Sequence, residues 1–162
     1  MRIAPANAPD ASSSVSFTIL HGIEDGIDGH LGAIDVARPV QNLRDAFAVY
    51  LTGYGVVITM EVDIMATPFN FPGMQTPTEE MKAQTHKQKL ARLPVVVAAL
   101  KDEMRRAATT LDRLMPDSEQ IIFVARLDYR PWEDTTDLPR RQITLRADRK
   151  AASMGDIKTV YE

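Results

Sequence analysis

Four charged residues on segments that read as strands are the first place where this chain could do chemistry. Glu61 and Asp63 stand two apart on one alternating segment, and Arg126 and Arg146 hold the matching positions on two others. If those strands pair, the opposite charges meet across the sheet, each contact contributing about 0.2–1 kcal/mol on a wet face. The same four side chains would also serve as a shallow ligand site built from a carboxylate pair and two arginines. Acid–base work by the carboxylates then requires burial or mutual repulsion to separate their pKa values.

A metal is the second possibility. His21 and His30 flank an acidic, glycine-rich stretch, and with Asp25 and Asp28 they offer nitrogen and oxygen ligands suited to zinc or iron. Their spacing matches no recognised metal motif. A calcium-loop alignment over Glu24–Asp35 places Asp28 and Asp35 at ligand positions, but Glu24 and Gly26 fall where two further ligands are needed. His86 extends an apolar helical stripe and reads as a packed histidine. No metal centre and no cofactor is assigned.

Other chemistries are excluded by composition. The 162 residues include no cysteine, so disulfides, thiolate metal sites and a cysteine nucleophile are absent. No serine sits in a nucleophile elbow. Gly53-Tyr54-Gly55 is too short for a phosphate-binding loop and leads into a strand. A net charge of -3, from 22 acidic and 19 basic residues, gives no support to nucleic-acid binding. No run approaches the roughly 18 apolar residues of a membrane span.

Apolar loops remain. Phe69, Phe71 and Met74 lie in one proline-rich segment, and Tyr129 and Trp132 in another. Aromatic residues dominate interface hot spots, so these five are interface candidates. The alternative is that both loops fold back to cap the core.

These groups must be positioned by regular elements. Val15–Ile19 alternates as a short strand, and Gly22–Gly32, with four glycines in eleven residues, reads as a loop. Val40, Leu43, Phe47, Tyr50 and Leu51 predict a helix over Pro39–Thr52 that ends at Gly53 and Gly55. Val56–Met65 alternates strictly and predicts a strand. Thr76, Pro77 and Glu79 form a capping box for a long helix. Its seam of threes and fours runs from Leu90 to Leu114, kinked at Pro94 or split there into two helices. About 38 residues would span roughly 57 Å, longer than any strand, so part of the seam is available to another chain or the C-terminal tail. Strands follow at Ile121–Tyr129 and Gln142–Ala147, with Arg130–Arg140 protruding between them. Beyond Asp148 the apolar spacing is loosely helical.

Three segments resemble a family of uncharacterised bacterial proteins that are often predicted to be exported. They are Val49 to Val57, Lys89 to Pro94, and Trp132-Glu133-Asp134 through Leu138-Pro139, within a span of about residues 40–150. No activity is known for that family, so the resemblance implies no catalytic residue. It implies a periplasmic or secreted location, which suits the Ala/Pro-rich start as a tail left after signal removal. A cytoplasmic location is the alternative.

The expected fold is α+β. A mainly antiparallel sheet of three to four strands is covered on one face by the long kinked helix and the shorter Pro39–Thr52 helix. Residues 1–14 form a disordered lead and 15–162 a single domain. The sequence determines no function. Its absences and apolar loops point to a non-enzymatic interaction or assembly module, a homo-oligomer or complex subunit with protein partners. The alternative is a small-molecule-binding domain or unclassified enzyme that uses the charged sheet face.

Overall fold

The alternating segments and the apolar seam form the framework. The computed structural model describes residues 15–65 and 76–162. Along the chain come α1 (Phe17–Ala33), β1 (Gln41–Leu51), β2 (Gly55–Asp63) and α2 (Glu79–Thr110). They are followed by β3 (Gln120–Leu127), β4 (Gln142–Asp148), α3 (Arg149–Met154) and β5 (Lys158–Tyr161). The fold is α+β, and the strands lie in the order β1-β2-β3-β4-β5.

The sheet has five strands instead of the expected three to four, and it is mixed. β2 and β3 run parallel because α2 carries the chain back between them, and the other three pairs are antiparallel. The helices shield one face. There Ile58, Met60, Phe123 and Leu145 from the strands meet Val96, Leu100, Met104 and Leu111, all in one core cluster.

Two predicted elements are corrected at the N-terminal end. Val15–Ile19 is no strand, and Gly22–Gly32 is no loop. Ser16 caps α1 by accepting the Ile19 amide at 3.3 Å, and the helix runs through all four glycines. Each glycine costs about 1 kcal/mol against alanine. Leu20, Ile23, Ile27 and Leu31 fall on one buried stripe, however, and such burial yields about 1.5–3 kcal/mol per side chain. The stripe outweighs the glycines.

The helix predicted over Pro39–Thr52 is strand β1. Register irregularities between Asn42 and Arg44 and between Arg44 and Phe47 break its period of two. Such bulges insert extra residues, and the resulting spacing of apolar side chains imitates a helix. Gly53 and Gly55 serve a hairpin, not a helix end, with φ of 80° and 134°. A Cβ at Gly55 would lie 1.9 Å from the Gln120 carbonyl oxygen, so only glycine fits. Buried Glu119 ties this turn down, accepting from the Tyr50 hydroxyl at 3.0 Å and the Gly53 amide at 3.1 Å.

Helix α2 begins two residues later than predicted, with Thr78 as its cap in place of Thr76. It continues unbroken through Pro94. That residue lies on the exposed side, where water can receive the carbonyl it frees. The helix stops at Thr110, before the predicted Leu114. Arg149 fastens the following turn, donating to the Met115 carbonyl at 3.1 Å and pairing with Asp112 and Asp117. The loosely helical tail resolves into α3, capped by Asp148, and the edge strand β5.

The Arg130–Arg140 segment, predicted to protrude, folds back onto α2. Leu138 and Pro139 are buried, and His86 Nδ1 lies 2.9 Å from the Asp134 carbonyl oxygen.

Candidate functional site

The strand register orders the side chains of the sheet's other face into rows. One row runs Phe47, Thr59, Val124, Thr144, Val160, and the next runs Val49, Val57, Ile122, Arg146, Lys158. No described helix covers this face. Phe47 is 61% exposed, Val49 39% and Val160 37%. Two adjacent rows therefore form an apolar band, broken by threonines and closed at one corner by two basic residues. At the opposite end Glu61 pairs in register with Arg126, and Arg44 Nε stands 3.4 Å from Glu61 Oε2. These three and Asp45 line a shallow depression of about 290 Å³.

The four charged residues singled out in the sequence are thus divided. Glu61 and Arg126 are neighbours. Arg146 lies two rows away and donates to Gln120 Oε1 at 2.9 Å. Asp63 leaves the face altogether, and the carboxylate pair does not assemble.

Asp63 instead joins a buried charge cluster. Lys89, fully enclosed, places its Nζ 2.7 Å from Asp63 Oδ1 and 2.5 Å from Glu133 Oε2. Both contacts are close, but their angles leave Nζ and Glu133 Oε2 without a well-directed hydrogen bond. The Tyr129 ring lies beneath the ammonium, 5.1 Å from centroid to Nζ, a cation–π distance. Its hydroxyl donates to the Pro139 carbonyl at 2.7 Å. Burial, then the charges of Glu133 and Asp63, push that phenol well above its ordinary range. Chemically the cluster is a pin. It joins the end of β2, the middle of α2 and the β3–β4 loop, and its opposite charges offset one another.

The interface candidates divide likewise. Tyr129 caps Lys89, and Trp132 is half-buried in the folded-back loop. Phe69, Phe71 and Met74 lie outside the described residues.

The histidine–aspartate set is dispersed by the helix that carries it. His21 Nδ1 contacts Glu24 at 3.0 Å, Asp28 turns to β1, and His30 Nδ1 reaches Glu103 on α2 at 2.7 Å. Glu24 and Asp28 have a different task. Glu24 accepts the Ala48 amide at 2.7 Å and Asp28 the Ala46 amide at 3.1 Å, which satisfies two amides of the edge strand β1. Burial is the main cause that raises the Asp28 pKa, and the Ala46 hydrogen bond opposes it.

The seam of α2 held a signal that the apolar residues alone conceal. Lys89, Leu93, Val96, Leu100, Glu103 and Ala107 follow spacings of four and three, so two charged residues occupy core positions. A charge at such a position must be paired, and that could have been read from the spacing. Compared with known proteins, the chain matches no family model, no curated sequence and no solved structure, so its surfaces are read from their own chemistry.

Proposed function

We propose that this protein is an assembly module whose open sheet face packs against the same face of a second copy. The observation that carries the reading is the two-row apolar band from Phe47 and Val49 to Val160, left uncovered by the described helices. Contiguous apolar surface of this kind marks an interaction site more often than a free surface.

A second copy fits the pattern. Both edge strands contribute an apolar residue to one row, Phe47 from β1 and Val160 from β5. A two-fold axis along the central strand β3 therefore lays Phe47 over the partner's Val160. Five strands about 4.8 Å apart, with the two rows of the band and the adjoining Glu61–Arg126 row, give a face of roughly 24 by 20 Å, hence about 1,000 Å² over two partners. That is about the smallest area a specific interface requires. Face-to-face sheets in such a pair lie about 10 Å apart.

Light scattering after size-exclusion chromatography tests the reading. Wild type is expected to be a dimer at micromolar concentration, and a Phe47→Asp, Val160→Lys variant a folded monomer with the same circular dichroism. A monomeric wild type at the highest soluble concentration would reject it. The small-molecule alternative retains only Glu61, Arg126 and the depression beside Arg44.

A further inference from the structure

Helix α1 carries glycines that its own packing explains only in part. A Cβ at Gly26 would stand 3.3 Å from Glu103 Oε2, so glycine there lets the carboxylate lie under α1. A Cβ at Gly22 would meet nothing within 4 Å. Gly22 weakens the helix and leaves empty space.

That space is a groove of about 370 Å³ between α1 and α2. Its apolar walls are Ile19, Ile23 and Ala107, and Glu103 and Arg106 stand at the end near Gly26. Glu103 is 5% exposed, and its Oε1 serves both His30, at 2.7 Å, and Arg106, at 3.1 Å. Oε2 has no hydrogen-bond partner among the described residues. A carboxylate oxygen that faces a groove without a protein donor favours a donor there, and a charged donor most of all. The Arg106 side chain is 71% exposed and free to turn towards a ligand.

Charge selects the ligand further. Arg106 repels a bare cation, and the buried Glu103 repels a bare anion. A molecule that carries both an ammonium and a carboxylate satisfies both residues. We propose that this groove binds a small α-amino acid with an apolar side chain. Its ammonium donates to Glu103 Oε2, its carboxylate meets Arg106, and its side chain fills the space beside Gly22 against Ile19 and Ile23. The site lies in the helical layer and does not depend on the sheet face.

The test is a titration of the full chain with L-valine, followed by amide resonances in ¹H–¹⁵N NMR spectra. Saturable shifts at Gly22 and Gly26 are expected, with affinity at least about tenfold weaker for isobutylamine, which lacks the carboxylate, and for isovalerate, which lacks the ammonium. Gly22→Leu, which fills the groove, and Glu103→Gln, which removes the charge, should each weaken L-valine about tenfold or more. Unmoved amides at about 50 mM L-valine, isobutylamine binding equally well, or wild-type affinity in Glu103→Gln would each overturn the proposal.

Discussion

Helix α2 buries two charges on one stripe, Lys89 and Glu103, and they differ in what surrounds them. Lys89 is enclosed completely, and its two carboxylate partners are 3% and 2% exposed. Glu103 is nearly as buried, but it borders a groove and keeps one oxygen open. The difference shows that burial alone does not separate a structural ion from a binding group. What separates them is whether the group faces protein on every side or borders a groove. A closed cluster holds elements together, whereas an open one offers something to a ligand.

The largest expected effect breaks the closed cluster. Lys89→Met should lose about 3–5 kcal/mol, because Asp63 and Glu133 are left as uncompensated buried carboxylates. Urea unfolding measures it. Adding Asp63→Asn and Glu133→Gln to that variant should recover most of the loss, since no buried charge then remains. A loss below about 1 kcal/mol would mean that water reaches the cluster.

Glu103→Gln should cost only about 1 kcal/mol, the scale of one hydrogen bond beside solvent. A loss equal to that of Lys89→Met in the same unfolding assay would erase the distinction between the two.

Asp28 gives a smaller effect with a definite sign. Its folded pKa is raised above the ordinary carboxylate value near 3.8, chiefly by burial. Between the ordinary and the raised value the folded state holds more proton than the unfolded state. The group's contribution to stability is therefore greatest at low pH and declines as pH rises through that interval. The melting temperature of Asp28→Asn minus that of wild type should therefore rise from pH 3 to pH 7. At pH 7 the variant should stay within about 1 kcal/mol of wild type, since an amide oxygen can still accept the Ala46 amide.

The smallest effect lies on the surface. The Glu24 hydrogen bond, then the Asp25 charge, raise His21 above its ordinary 6.5. An NMR titration should find it so, and Glu24→Gln should return it towards 6.5.

Legibility in the sequence followed local regularity. β2, β3 and β4 were visible because each buries alternate residues, and α2 because its seam never loses phase. α1 was hidden by glycines whose cost is outweighed only through contacts with β1 and α2. β1 was hidden because its bulges shift phase, and bulges depend on pairing with β2. The parallel β2–β3 pair depends on where α2 returns the chain. Of the buried clusters, Lys89 and Glu103 were readable as charges at seam positions. Glu133 was not, since it reaches Lys89 only after the β3–β4 loop folds back. The open sheet face was half-visible: alternation announces a second face, but only the helices' placement leaves it uncovered.

The carboxylates of Glu24 and Asp28 on the outer amides of β1 bear on how far assembly can proceed. An unpaired edge is a template on which further strands can add, and endless growth requires two such edges on every copy. On the β1 edge, side chains of the same chain already hold the Ala46 and Ala48 amides. A strand arriving there must first displace two carboxylates, which leaves β5 as the edge open to joining. The helix that packs beside β1 thus also guards that edge against growth.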